Sequence, residues 1–376
     1  MTLAPIGMVD LIARSSDAPS GTRRFADNLG AELRGLGVDA HTTPTYVPRY
    51  RRAAGRIRGR TGIDLAAFLG TYPLTLDLRR GALAHLTTQT FATALWRPLA
   101  AVVTVHDLFP TLGRPGPSRL AARAFDAFAH VALRRALWVI VDCQAVADGL
   151  AARGLVNTAR LSVVALGVDH AIFRPRLVDD DHWNWLGLEP NTPFLLYVGT
   201  EAPRKRVELL LHLLALLRRR GLRKLVLVKA GPPAADARDR LKTLAAALDI
   251  ANAVRWLDRV DDARLAWLYR HAALYVSASA QEGFGLPVLE AMASGCPVAV
   301  SPIRAHAELV ATGGVLLPRN GLEEWVACLH ELLRDDSRLK SLGEQSLSRA
   351  SQYTWRRTAR ESIQAYAAAR HMPTAT

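Results

Sequence analysis

The chain has 376 residues, half of them hydrophobic, and a formal net charge of +14. That length exceeds one ordinary compact core and points to two domains, while the lack of any run of about 18 uncharged apolar residues excludes a membrane-spanning helix. The cysteines, Cys143, Cys296 and Cys328, are few and far apart; they exclude a disulfide framework or a cysteine metal cluster and point to a reducing, cytoplasmic compartment.

The opening MTLAPIGMVDLIARSSD has no basic leader before an apolar run, so it reads as a first strand rather than a secretory signal. The loop that follows, SSDAPSGTRR, lacks the G-x-G-x-x-G turn of a dinucleotide site. A helix is expected from about Gly21 to Leu36. RYRRAAGRIRGR, Arg49 to Arg60, then brings six arginines and no acid, and residues 1–175 together hold 21 Arg, no Lys and 12 Asp+Glu, a net of +9. Such a stretch suits an anionic phospholipid surface or a lipid-linked phosphate, which would make the protein peripheral on the inner face of a membrane; a solvated loop is the plainer alternative. Charge alone would also suit nucleic acid, but no recognised nucleic-acid fold accompanies it, and none is expected as a partner.

Strand-like runs continue with ALAHLTT and AAVVTVHDLF, a helix around Ala121–Ala136, and then LWVIVDC and RLSVVAL. His106 and Asp107 close the second of these. Neighbours on a strand point to opposite faces, so His106 is expected to face a ligand and Asp107 to support the loop, without forming a dyad. FRPRLVDDDHWNWLGLEPNTPF, rich in Pro, Asp and Asn, marks the boundary, and the second half repeats the alternation with FLLYVGT, KLVLVKAG, AVRWLDR, AALYVSAS, PVAVS and GGVLLP. Continuous apolar strands separated by helices describe parallel sheets buried on both faces, and hence two doubly wound α/β domains. The expected division is 1–175, 176–355 and a C-terminal helix, 356–376, able to pack on either domain.

Ligands of such sheets bind beyond the carboxyl ends of the strands, so the loops there carry the chemistry. In YVGTEAPRKRVELLLHLL, Gly199 and Thr200 end a strand and Pro203 is placed to start a helix. Arg204, Lys205 and Arg206 then crowd a helix start that is already partly positive, an arrangement suited to phosphate or, less specifically, a solvated basic turn. In QEGFGLPVLEAMASGCPVAVS, Glu282 lies in a loop with Gly283 and Gly285, Pro287 begins a helix, and Glu290 follows after seven intervening residues. Carboxylates repel phosphate but accept strongly from hydroxyls. One site with both sets of groups fits a nucleotide sugar. Asp179–Asp181 fall in the boundary and Asp261–Asp262 look like a helix cap, so no metal-ligand spacing appears; the nucleophile elbow G-x-S-x-G is absent too.

On these motifs the chain resembles the retaining glycosyltransferases of family 4, in a mannosyltransferase-like subgroup. EGFGLPVLEAMASGCPVAVS looks like the E-x7-E signature and YVGTEAPRKRVELLL like the basic phosphate turn. VVTVHDLFP, VALGVDHAIFRP and YTWRRTARESIQAY match further family segments. The resemblance implies a GT-B fold, with two Rossmann-like domains facing across a cleft and the last helix crossing back to the first. It implies that Glu282 contacts hydroxyls of the transferred sugar and Glu290 the ribose. Lys205 with Arg204 would hold the diphosphate, backbone N–H groups of Gly283, Phe284, Gly285 and Leu286 would face sugar and phosphate, and His106 would lie beside the sugar ring. Gly21, Gly199 and Thr200 would line the donor and acceptor edges. The implied reaction moves a hexose, by best match mannose from GDP-mannose, to a glycan or lipid-linked hydroxyl without a cofactor or metal; UDP-glucose or UDP-galactose as donor, or a non-catalytic sugar-nucleotide binder, are the alternatives. The sequence departs from the family pattern at Ser20-Gly21, Cys143, Leu166, Thr200 and Lys229, where paired glycines, serine, asparagine, arginine and glycine are common.

Overall fold

The computed structural model describes residues 6–13, 21–44, 78–96, 99–108, 131–175, 183–234 and 237–372. The arginine-rich stretch 49–60, most of the helix expected at 121–136 and the acids at 179–181 lie outside them.

Two compact units form, Met1–Gly167 with Trp355–Thr376, and Val168–Thr354. The first contains a six-stranded sheet of β1 (Met8–Ala13), β2 (Asp39–Pro44), β3 (Leu83–Leu86), β4 (Ala101–Val105), β5 (Trp138–Val141) and β6 (Leu161–Val163), in the order β2-β1-β3-β4-β5-β6. All its pairings are parallel. β1, β3 and β4 are almost wholly buried, as their mainly apolar runs require, and each carries one buried polar residue, Asp10, His85 and Thr104. β2 was not expected. Its sequence DAHTTP is polar and ends in proline, which a ladder tolerates at an edge, and β2 is the edge strand.

The helix Gly21–Gly35 turns Phe25, Ala26, Leu29 and Leu33 inward. The last helix, Trp355–Arg370, belongs to this unit and packs on Gly21–Gly35. It is anchored through a buried polar string: Tyr366 OH lies 2.8 Å from His85 Nδ1, and His85 Nε2 lies 2.7 Å from Thr104 Oγ1. Burial pushes His85 down to about 3 and so keeps it neutral. Tyr366→Phe leaves a buried ring nitrogen unpaired and is expected to cost about 1–3 kcal/mol, read as a lower midpoint in denaturant with an unchanged slope.

The second unit repeats the design with β7 (Phe194–Val198), β8 (Val226–Ala230), β9 (Val254–Trp256), β10 (Leu274–Ser277), β11 (Val298–Val300) and β12 (Val315–Leu316). The order β12-β11-β10-β7-β8-β9, parallel throughout, is the doubly wound order in which the strand sequence reverses between β7 and β10. Leu210, Leu213, Leu214 and Leu217 of the helix Val207–Arg219 fill the core against Leu227, Trp325, Val326 and Leu329; each such burial is worth about 1.5–3 kcal/mol. The helix Asp262–His271 starts as its sequence suggests, with Asp261 accepting from the Arg264 N–H at 2.8 Å. Among the described residues no helix is long and apolar enough to cross a membrane.

Candidate active site

The reversal of strand order between β7 and β10 puts two loops side by side in the second unit, one after each strand. The Ala280 N–H donates to the Arg204 carbonyl at 2.8 Å and ties them together. On the first loop Pro203–Lys205 form a separate 3-10 turn. Arg206 then adopts a left-handed conformation (φ 50°, ψ 46°), and the α-helix begins only at Val207. This corrects the expectation that Pro203 opens the helix. Three cations in the first turn of an α-helix would oppose its dipole, whereas a short turn in front leaves them beside the loop.

The second loop carries Glu282. Its Oε1 pairs closely with Lys205 Nζ and accepts from Ser279 Oγ at 2.7 Å. Its Oε2 lies 3.5 Å from an Arg204 guanidinium nitrogen, which also donates to the Gln281 carbonyl at 3.2 Å. The side chains of Lys205 and Glu282 are 12% and 13% exposed and that of Arg204 is 33% exposed, so this is a half-open, strongly polar spot. Burial alone would raise the Glu282 carboxyl, but the Lys205 charge and the hydrogen bonds from Lys205 and Ser279 outweigh it and hold the group below the usual carboxylate range.

Gly285 (φ 100°, ψ 46°) caps the helix Leu286–Ala293, with Pro287 in its first turn and Gly295 closing it at φ 74°. A Cβ on Gly285 would also press within 3.3 Å of Leu309, so the loop needs glycine for both backbone and space. Gly283 is buried, and Phe284 is buried with its ring 5.9 Å from Tyr353. The Phe284 side chain therefore secures the loop, which leaves backbone as its means of meeting a ligand. Leu286 is half-buried at the first position of the helix. Glu290 is not a solvated helix acid: it is 9% exposed, and its Oε2 accepts from the buried Tyr269 hydroxyl at 2.9 Å. The structure thus gathers Arg204, Lys205 and Glu282 directly and sets Glu290 one helix turn deeper.

Gly199, after β7, lies against Gly231 so tightly that a Cβ on Gly231 would meet the Gly199 carbonyl oxygen at 2.6 Å. The Thr200 carbonyl accepts from Tyr197 OH at 2.9 Å. Beside them sits a cluster that the sequence reading missed. Glu201 is buried and takes Lys229 Nζ at 2.8 Å and Arg238 Nε at 2.5 Å on one oxygen, and the Ala234 N–H at 3.1 Å on the other. Lys229 is fully buried and also donates to the Gly231 carbonyl at 2.6 Å. Arg238 reaches Asp258 at 3.2 Å and lies over the Trp256 ring. The signal was available: a lysine inside an apolar strand run demands a counter-charge.

In the first unit, His106 follows β4. It pairs with Asp142 at the end of β5, 2.7 Å from Nδ1, and with the Thr87 carbonyl, 2.9 Å from Nε2. Asp107 is held by Gln89 Nε2 at 2.9 Å, in the loop-supporting role expected of it. Gly21 is the first residue of the helix Gly21–Gly35, with open space where a Cβ would stand. Among the described residues, no three His, Cys, Asp or Glu side chains are grouped as metal ligands would be.

Two parallel doubly wound sheets in separate units define the GT-B fold, and solved structures share it over nearly the whole chain. Sucrose-phosphate synthase of Thermosynechococcus elongatus matches with a TM-score of 0.72 and 20% identity, covering 96% of this chain and 98% of the other. The Anabaena protein HepE, solved with UDP and glucose, matches at 0.73 and 19%, covering 95% and 98%. At the level of sequence, residues 181–349, within the second unit, match the family glycosyl transferases group 1. The D-inositol 3-phosphate glycosyltransferase of Nocardia farcinica is 34% identical over 218 residues, 56% of this chain and 48% of that protein. One from Frankia alni is 36% identical over 215 residues, 55% and 53%. The chain thus spans about half the length of the relatives it matches.

Proposed function

We propose that the protein is a retaining glycosyltransferase that moves a hexose from a nucleoside diphosphate sugar to an acceptor hydroxyl. The observation that carries this reading is the meeting of Lys205 and Arg204 with Glu282 where strand order reverses between β7 and β10. In this reading the two cations take the diphosphate and neutralise it as it departs, a task that fixed charges perform without a metal. Glu282, relieved of Lys205 when the diphosphate arrives, accepts from hydroxyls of the sugar and orients its anomeric carbon. Glu290 accepts from ribose. Attack from the same face as the departing diphosphate, with retention, follows from the family likeness.

Two donors are supported by different observations. The joint presence of GTEAPRK and EGFGLPVLEAM favours GDP-mannose; the UDP and glucose bound by the similar Anabaena protein favour a UDP-hexose. The names of the sequence relatives favour a phosphorylated polyol as acceptor, while the arginine-rich stretch 49–60 favours a lipid-linked one at an anionic membrane face. The test is a donor screen with GDP-mannose, UDP-glucose, UDP-galactose and UDP-N-acetylglucosamine, with and without EDTA. A ligand that binds only the folded state raises its melting temperature, and slow donor hydrolysis releases the nucleotide. Selective stabilisation and release with one donor, unchanged by EDTA, is the expected result. No stabilisation by any donor would leave a non-catalytic GT-B protein as the better reading.

A further inference from the structure

The surroundings of His106 fix its protonation. Nδ1 lies 2.7 Å from Asp142 Oδ2 and Nε2 lies 2.9 Å from the Thr87 carbonyl. A carboxylate and a carbonyl only accept, so both ring nitrogens carry hydrogens and the ring is an imidazolium. The shared proton resides on the ring, since an imidazole is ordinarily a stronger base than a carboxylate. Among the described residues Asp142 Oδ1 is buried without a hydrogen-bond partner, and the ring is the principal group there that compensates this buried carboxylate. The other groups facing His106 leave that charge in place. Asp107 adds negative potential. His85, on β3, is neutral. The helix Gly21–Gly35 offers the edge of Phe25, with ring centres 4.9 Å apart. Gln89 accepts from the His106 backbone N–H.

We propose that Asp142 is a positioning residue for the transfer reaction, fixing His106 in one orientation as a cation at the end of β4, so that the ring, with both N–H groups engaged, acts by its charge and not as a base. The proposal rests on the transferase reading above. Burial alone would lower the His106 value, but Asp142, the Thr87 carbonyl and Asp107 together raise it above 6.5. The imidazolium is therefore expected to persist at neutral pH and to be lost as pH rises through that higher value. Asparagine at position 142 keeps the shape but carries no charge to balance the cation, so the ring reverts to a neutral tautomer. If Nδ1–H donates to the amide oxygen, Nε2 turns a lone pair toward the Thr87 carbonyl; if the amide donates to Nδ1, Nε2–H keeps that carbonyl, and in both cases the positive charge is lost.

The experiment is a pH titration of the histidine Cε1–H resonances of the intact protein, with His106→Gln to assign the signal. The midpoint of His106 is expected above 6.5 in the wild type, at or below 6.5 in Asp142→Asn, and still raised in Asp142→Glu, which also serves if the asparagine variant does not fold. Turnover of the donor found in the screen should fall above the wild-type midpoint. In Asp142→Asn that limb should move to lower pH, with at least a tenfold loss of kcat at pH 7.5 and a donor KM within twofold. A wild-type midpoint below 6.5, or an Asp142→Asn variant whose midpoint does not move or whose loss of kcat is even across pH, overturns the proposal. Absence of turnover in every variant would count against the transferase reading, while the resonance titration would still decide the role of Asp142.

Discussion

Replacing Glu282 by glutamine is expected to lower turnover by about a hundredfold or more, while nucleoside diphosphate binds as tightly as to the wild type or more tightly. The two effects come from one side chain. Glu282 pairs with Lys205 and lies 3.5 Å from Arg204, so a diphosphate taken by those cations, as proposed, would spend part of its binding energy on displacing it. Glutamine removes that competition and leaves the cations to the phosphates. The same change removes the ionised acceptor proposed for the sugar hydroxyls, and losing one well-placed polar contact in a transition state costs on the order of 10²–10³ in rate. Titration calorimetry with UDP and GDP measures the first effect; kcat against donor concentration measures the second. Weaker diphosphate binding with undiminished turnover would remove Glu282 from the site. Acid stability supplies an independent check. The Glu282 carboxyl is held below its ordinary value, so its contribution is present above the unfolded carboxyl range and lost as pH falls through the folded value. Glu282→Gln should therefore lose less stability than the wild type on acidification.

Removing Glu201 is expected to destabilise the second unit by about 3–5 kcal/mol, the scale for breaking a buried ion pair from one side. Glu201→Ala leaves Lys229 fully buried with carbonyl partners only, and leaves Arg238 with Asp258 alone among the acids that hold it here. Lys229→Met should cost less, because Glu201 keeps Arg238 and the Ala234 N–H. The pH dependence distinguishes a buried charge from lost packing. Burial lowers the Lys229 value even in the wild type. Without Glu201 it falls further, the folded state then holds fewer protons than the unfolded one, and stability rises with pH toward the ordinary lysine range. Urea unfolding at pH 7 and pH 9 should show this rise more steeply in Glu201→Ala than in the wild type. A pH-independent loss would mean that the cluster acts by shape alone.

The contrast between these two groups shows where sequence reasoning held and where it stopped. The strands of the second unit were legible because buried parallel strands are written as unbroken apolar runs, and the loops after β7 and β10 followed from them. Arg204, Lys205 and Glu282 could be named because their residue types are out of place, cations before a helix and an acid beside glycines. Glu201 lies in the same loop yet passed as one more loop acid; only the pairing of β7 with β8 shows that it faces Lys229. β2 was invisible because an edge strand need not be apolar. Asp142 was read as the end of a strand, and its partner lies 36 residues away on the neighbouring one. Such distances are set by sheet order, and spacing along the chain does not encode them.

The path of the chain also governs how the molecule is made. Val168–Thr354 form a contiguous unit, whereas the first unit takes residues from both sides of it, ending with the helix Trp355–Arg370. During synthesis the second unit can therefore complete itself as soon as Thr354 has left the ribosome. The first must wait, with Phe25 and His85 lacking Trp355 and Tyr366, for the whole intervening unit to be translated, roughly ten seconds or more at common elongation rates. The unit begun first is finished last, and that interval is when its unpaired apolar surface is open to aggregation and to chaperones.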